Sequence, residues 1–207
     1  MKVLRLILML PMLLPLSACG LSGGPLSGQV LEEDTNKPVP GAIVVVRWRG
    51  DLPGFADSRT VCYHVASAIT DEAGRYRIPA WSKEAEKDWQ KRIINKEFTV
   101  VAYKSGYGFP KQPSQKQQIV LMAPFKGTAG ERLDFLVRIF GAAGCGSQGE
   151  SDKNGIPFMK AVYAEALNLG QTKDKKRMLE SFLYSIEKLE LGFEQAAKRH
   201  LERVGKQ

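Results

Sequence analysis

The sequence contains few histidines: among 207 residues only His64 and His200 occur. The His-Glu-x-x-His signature of zinc peptidases, with two ligands one helical turn apart, is therefore absent. A zinc ion needs three or four ligands, and Cys62, His64 and Cys145 would still require a carboxylate that no motif supplies. We therefore predict no metal site and no cofactor.

The sequence also offers no transmembrane helix at its start. The apolar run Leu6–Leu16 is interrupted by Pro11 and Pro15, and a spanning helix needs about 20 apolar residues. Two positive charges precede the run, in Met1–Arg5. A short apolar segment after a basic start is typical of a secretory signal. We assign residues 1–18 to a signal peptide and exclude them from the fold.

The signal ends in the sequence LSACG, residues Leu16–Gly20. This segment resembles the lipobox of bacterial lipoproteins, in which acyl chains such as palmitate are attached to the cysteine, here Cys19. The resemblance implies outer-membrane anchoring, because Gly20 is not the aspartate associated with inner-membrane retention. Residues 19–25 then form a short, flexible lipidated tether. The alternative is an ordinary signal peptide cut after a small residue.

The charge balance is basic. Loss of Lys2 and Arg5 with the signal lowers the formal charge from +8 to +6. In an exported protein this favours contact with anionic lipids or envelope polymers over nucleic acid, so we predict no nucleic-acid partner. Lys173–Arg177 and Lys198–Arg203 fall on predicted helices, where charges are usually solvated.

Removal of Cys19 by lipidation leaves Cys62 and Cys145, which are 83 positions apart. In an oxidising compartment an even pair favours a disulfide. Such a bridge would stabilise the fold by about 4–5 kcal/mol in the chain-entropy model. Two separate buried thiols are the alternative.

Residues 26–123 show the two-residue alternation of β-strands. In Ile43–Arg49, Val44, Val46 and Trp48 share one face while the arginines point away, which predicts one solvent-exposed face. Predicted strands are Leu26–Leu31, Ile43–Arg49, Val65–Thr70, Arg75–Ile78, Phe98–Tyr103 and Gln118–Met122. Short strands separated by turn signals indicate an antiparallel sandwich.

From Thr128 the apolar period changes to 3.6 residues, which predicts about three helices in residues 124–207. The three apolar stripes are Leu133, Leu136, Val137 and Phe140; Met159, Val162, Tyr163, Ala166 and Leu167; and Phe182, Ile186, Leu189, Phe193, Ala197, Leu201 and Val204. We interpret them as packing surfaces, with Gly192 able to kink the long last helix. The predicted fold class is therefore α+β.

The segment Ile69–Pro79, ITDEAGRYRIP, suggests either an acidic site or a turn. Asp71 and Glu72 are adjacent, whereas a calcium loop needs alternating oxygen ligands and a distal glutamate. Arg75 and Arg77 follow and would repel a cation. Asp at the start of a turn and Gly near its end favour a hairpin with a bulge, with Tyr76 and Ile78 in the core.

Four motifs in order, Ser27–Val30, Pro38–Val45, Thr70–Pro79 and Ala102–Tyr107, resemble the carboxypeptidase regulatory-like domain. The resemblance implies a transthyretin-like (prealbumin-like) β-sandwich over residues 26–123. The module accompanies enzymes, transporters and adhesins and is not itself a peptidase. The insertions Gly50–Tyr63 and Lys83–Asn95 depart from the simplest pattern, and the helical extension lies outside it.

Two sets of residues are candidate sites. Cys62 and His64 lie two apart, so in a strand they share a face and could form a thiol enzyme's nucleophile and base. Five aromatic residues could form a sugar- or peptide-binding surface or simply anchor loops: Trp81, Trp89, Tyr103, Tyr107 and Phe109.

The sequence thus favours a non-catalytic, lipid-anchored envelope protein that binds or scaffolds a protein or glycan partner. It would face the periplasm or the cell surface from the outer membrane. An accessory subunit of an outer-membrane transport or secretion assembly is an alternative, and a thiol enzyme using Cys62 and His64 is a third.

Overall fold

The computed structural model describes residues 20–54, 57–84, 92–111, 118–145, 150–169 and 173–205. These ranges form an α+β structure with eight strands and four α-helices. The strands are β1 (Leu21–Gly23), β2 (Leu26–Glu32), β3 (Ile43–Pro53), β4 (Ser58–Ile69), β5 (Arg75–Ile78), β6 (Trp81–Lys83), β7 (Ile94–Tyr103) and β8 (Ile119–Met122). The helices are α1 (Ala129–Phe140), α2 (Ile156–Leu167), α3 (Lys173–Leu191) and α4 (Phe193–Val204).

The central sheet has the order β4-β3-β7, with β3 antiparallel to both neighbours. Val44, Val45 and Val46 are all fully buried, because the sheet is covered on both faces. Val44 and Val46 pack towards the second sheet, and Val45 packs towards the helices. The prediction of a solvent-exposed face is wrong here, since helices cover Val45. Arg47 is half-buried.

The second sheet has the order β5-β2-β8. β2 pairs antiparallel with β5 but parallel with β8, so the prediction of purely antiparallel pairing is wrong for this pair. A parallel pair needs a long connection, which most of the β region supplies here. Val30, Ile78 and Met122 are fully buried in the core that this sheet shares with the central sheet.

β1 and β6 form a small third sheet, with Leu21 opposite Lys83 and Gly23 opposite Trp81. Leu21–Gly23, in the middle of the predicted flexible tether of residues 19–25, are therefore a paired strand. Gly23 permits this, because a side chain there would overlap the indole nitrogens of both Trp48 and Trp81.

The segment ITDEAGRYRIP is a turn, as predicted. Asp71 Oδ1 accepts hydrogen bonds from the backbone N–H groups of Ala73 and Arg75, at 2.9 and 2.8 Å. Gly74 adopts φ +69°, and a side chain there would clash with the Val30 carbonyl. Tyr76 is buried in the shared core. The flanking strands belong to different sheets, so the turn links two layers instead of closing a hairpin within one.

A capping box marks the start of α1, and a glycine with positive φ marks the break between α3 and α4. Thr128 and Glu131 form a reciprocal capping box at the start of α1, in which each side chain binds the other residue's backbone N–H. Gly192 at φ +88° separates α3 from α4, so the predicted long last helix is two helices and the total is four. Val137 and Leu167, predicted to pack, are exposed.

The helical layer packs on the face of the central sheet opposite the second sheet. Val45, Val65 and Tyr103 of the sheet share one apolar core with Phe135 and Phe158 of the helices. The order of layers is therefore second sheet, central sheet, helices. This places the edge strand β4 beside the loop that follows α1.

Candidate functional site

The predicted disulfide is confirmed: Cys62 and Cys145 are bonded, with their Cα atoms 5.1 Å apart. The bond joins β4 to the loop after α1. Next to it, the Asn154 side chain donates to the Val65 carbonyl at 2.9 Å, and Ser67 Oγ donates to the Asn154 carbonyl at 2.6 Å. The disulfide and the two hydrogen bonds fasten the helical layer to the edge strand β4. The bond from Asn154 also gives one backbone carbonyl of that strand a hydrogen-bond partner.

The thiol-enzyme arrangement of Cys62 and His64 does not form. The Cys62 sulfur is bonded to Cys145, so it is no thiolate nucleophile. A β-bulge also separates the two residues: Trp48 pairs with His64 and Arg49 pairs with Cys62, which leaves Tyr63 as the extra residue. Cys62 therefore packs towards the helices, whereas His64 packs against Trp48. The prediction that they share a face is wrong.

His64 belongs to an aromatic cluster formed by Trp48, Tyr63, His64 and Trp81. The His64 and Trp81 rings stack with centroids 3.8 Å apart, and Trp48 meets Trp81 edge-on at 5.2 Å. Burial, followed by the Lys83 charge, lowers the pKa of His64, so the ring is neutral at pH 7. Such pairs contribute about 0.5–1.5 kcal/mol each beyond area burial. The cluster attaches β1 and β6 to the central sheet.

The predicted aromatic surface divides among separate places. Trp81 lies in the aromatic cluster, Trp89 lies outside the described residues, and Tyr103 is buried beneath α2. Tyr107 donates its hydroxyl to Glu32 at 3.4 Å. Phe109 packs edge-on against a ring of α1 and under the Arg138 guanidinium. The four described members therefore do not make one continuous surface.

A buried ion pair connects helices α1 and α2. Arg132 of α1 binds Glu165 of α2 through two hydrogen bonds, Nε to Oε1 at 2.6 Å and Nη2 to Oε2 at 2.9 Å. The Tyr103 hydroxyl of β7 donates to the same carboxylate at 2.5 Å, and Arg132 Nη1 donates to the Tyr107 carbonyl. One carboxylate thus joins two helices and a strand.

The electrostatics of this pair indicate a structural role. Burial alone would raise the pKa of Glu165, but the hydrogen bonds from Arg132 and Tyr103 outweigh it and lower the pKa. Burial, followed by the neighbouring carboxylate, raises the pKa of Tyr103. The acid is therefore ionised and the phenol neutral, and neither is poised near pH 7 for proton transfer. Sequence reasoning missed the pair because its members lie on separate helices.

A cleft of about 350 Å³ opens beside this pair. Its lining includes Lys104, Ser105, Glu165 and Asn168. Lys104 is half-buried, and its ammonium lies beside Gly41. The lining therefore combines the Lys104 ammonium with the neutral polar side chains of Ser105 and Asn168. The Glu165 carboxylate beside them is already bound by Arg132.

The second notable surface is on α4. One face of this helix packs on α3, where Arg203 binds Glu187 through two hydrogen bonds of 2.9 and 2.8 Å. The adjoining face carries Phe193, Ala197, Leu201 and Val204, which we call the α4 ridge. Phe193 is 60% exposed, Leu201 70% and Val204 48%. The sequence placed these residues in a packing stripe, but after the break at Gly192 the stripe faces solvent.

Within the described ranges, no group of three or more His, Cys, Asp or Glu side chains lies close enough together to hold a metal ion. No helix in the described part of the chain has the length and apolar character needed to span a membrane. No protein-family model, curated protein or solved structure matches the chain.

Proposed function

We propose that this protein is a non-catalytic, lipid-anchored protein of the bacterial outer membrane that binds or scaffolds a protein partner. The observation that carries the proposal is the use of the three cysteines. Cys62 and Cys145 are bonded to each other, and Cys19 follows directly on the signal sequence. A disulfide is typical of exported proteins, and the remaining cysteine stands where a lipobox would place the acyl chains.

The fold that we propose for the β region is a transthyretin-like sandwich of the carboxypeptidase regulatory-like kind. Two three-stranded sheets with a shared apolar core support it, as does the turn at Asp71–Gly74. The β1–β6 sheet and the long β3–β4 hairpin, whose far half is the insertion after Gly50, are additions to that plan.

A protein partner is favoured over a glycan by the α4 ridge. Three large apolar side chains on one face of an amphipathic helix match the recognition of a helix by an apolar groove. Trp81, a candidate for sugar stacking from the sequence, has one ring face stacked on His64 and forms a T-shaped contact with Trp48. An accessory subunit of an outer-membrane assembly would use the ridge in the same way.

The lipid anchor is tested by intact mass and fractionation of the full chain. We expect wild type to carry acyl mass on Cys19 and to sediment with membranes, and Cys19→Ser to do neither. A membrane-bound, acylated Cys19→Ser protein contradicts the proposal. Mass under non-reducing conditions also tests the thiol-enzyme alternative, which requires Cys62 and Cys145 to be free and rapidly alkylated.

The partner is tested by crosslinking and purification from solubilised membranes. We expect Leu201→Glu to reduce recovery of a specific crosslinked protein at least tenfold, because it buries a charge in an apolar contact. Gln195→Glu is the matched control, since it adds the same charge on the exposed polar face of the same helix. Equal recovery with both variants would show that the α4 ridge is not the binding surface.

A further inference from the structure

The distance between the proposed lipid and the folded protein is very short. Cys19 and the first residue of β1, Leu21, are separated by Gly20 alone. Two peptide units span at most about 7 Å between Cα atoms. The polar headgroup layer on each side of a bilayer is itself about 5–8 Å thick. A lipid on Cys19 therefore holds Leu21 at the level of the headgroups.

β1 is also firmly fixed to the rest of the protein. It pairs along its whole length with β6, from Leu21 opposite Lys83 to Gly23 opposite Trp81. Gly23 lies against the indole nitrogens of Trp48 and Trp81. Trp81 in turn stacks on His64 of β4. If the lipid fixes the height of Leu21 above the bilayer, it therefore also fixes the position of the central sheet.

The side chains around β1 suit a headgroup layer. Tyr63 and Trp81 are partly exposed members of the aromatic cluster, and residues of this kind favour the boundary between water and lipid. Lys83, opposite Leu21, is exposed and forms no ion pair with the described residues. Its ammonium can approach the phosphate of an anionic lipid, which contributes about 1 kcal/mol per basic residue near the surface.

We propose that the β1–β6 sheet is a membrane-docking surface that holds the protein in one orientation on a phospholipid bilayer. The inference rests on the lipid anchor proposed at Cys19 and adds that the anchor is not a swinging tether. The occupant of the surface is the headgroup layer of the leaflet that carries the acyl chains. Tyr63 and Trp81 lie at its boundary, and Lys83 faces its phosphates.

The test is hydrogen exchange of the full lipidated chain in nanodiscs of phosphatidylethanolamine and phosphatidylglycerol. We expect peptides covering residues 20–26 and 80–84 to exchange about tenfold more slowly than in unlipidated Cys19→Ser, with peptides of α4 unchanged. A variant with ten Gly and Ser residues inserted between Gly20 and Leu21 should keep its acyl mass and membrane binding but lose this protection.

Two lysine variants test the headgroup contact. Lys83→Glu should lose most of the protection, whereas Lys153→Glu, an equal charge change at an exposed residue of the helical layer, should keep it. Equal exchange in wild type and the linker variant, both acylated, overturns the fixed orientation and leaves the lipid anchor intact. Absence of acyl mass overturns the anchor and, with it, the orientation that depends on it.

Discussion

Among the described residues, an arginine bound by a glutamate joins helices at two places, and the two places differ in burial. The side chains of Arg132 and Glu165 are 5% and 14% exposed, and the pair contacts two helices and a strand. Arg203 is 27% exposed and joins α4 to α3 alone. Helix α1 of the first pair is also fastened to the sheet, because the Cys62–Cys145 bond joins the loop after α1 to β4, whereas the second pair carries the exposed α4 ridge. The same kind of Arg–Glu pair is thus buried between α1 and α2 but partly exposed between α3 and α4.

The largest effect is expected from removing the disulfide. Cys62→Ser together with Cys145→Ser opens a loop of 83 residues and should lower the free energy of unfolding by about 4–5 kcal/mol. Urea denaturation followed by circular dichroism measures the change. Wild type treated with a reductant should show a similar loss. A change below about 1 kcal/mol would mean that the hydrogen bonds of Asn154 are enough to hold the helical layer against β4.

Breaking the buried ion pair should have a similar or slightly smaller effect. Glu165→Ala leaves the Arg132 charge buried and uncompensated, which costs about 3–5 kcal/mol of unfolding free energy. Arg132→Met combined with Glu165→Leu removes both charges and should recover most of the loss. If the double variant is as unstable as Glu165→Ala, packing and not charge holds the junction.

The same pair gives a dependence of stability on pH. The folded-state pKa of Glu165 is lowered, so its stabilisation is fully present above the unfolded pKa of about 4.3. It is lost as pH falls through the folded value. Wild type should therefore lose more unfolding free energy between pH 6 and pH 3 than the charge-free double variant does. Parallel pH profiles would contradict this assignment.

The second junction should be weaker. Arg203→Met removes the contacts with Glu180 and Glu187, and we expect a loss of about 1–2 kcal/mol because water screens the partly exposed guanidinium. The loss should appear first as faster amide exchange in α4. A global loss as large as that of Glu165→Ala would make the two junctions equivalent.

The smallest effect on stability is expected at the α4 ridge itself. Leu201→Glu should change the unfolding free energy by less than about 0.5 kcal/mol, since the side chain is largely exposed in the free protein. Thermal melting of wild type and variant measures this. A loss above about 2 kcal/mol would mean that Leu201 packs within the fold and not against a partner.

Local features of the fold were predictable from the sequence. The turn at Asp71–Gly74 follows from its residue types, and the strands follow from alternating apolar residues such as those of β3. The cysteine pair followed from the even number of cysteines left after Cys19 and from the oxidising compartment that the sequence predicts. The turn and the strands depend on a few neighbouring residues, and the disulfide depends on the number of cysteines. None of these predictions needed knowledge of the folded arrangement.

Non-local features were not predictable. The bulge at Tyr63, which separates Cys62 from His64, depends on how β4 pairs with β3. The bond between Arg132 and Glu165 depends on how two helices cross, and strand β1 forms because β6 and the aromatic cluster are there to receive it. No local sequence pattern near these residues indicates such contacts between distant parts of the chain. The break at Gly192 was visible, but the direction that α4 takes after it was not.

The Cys62–Cys145 bond also makes a covalent ring of the chain between those residues. That ring contains most of β4, all of β5, β6, β7 and β8, and α1, while β1 to β3 lie before it and α2 to α4 after it. A single proteolytic cut anywhere between the two cysteines therefore releases no fragment. A molecule cut once between the two cysteines would therefore keep its α4 ridge covalently connected to β1 until the bond is reduced.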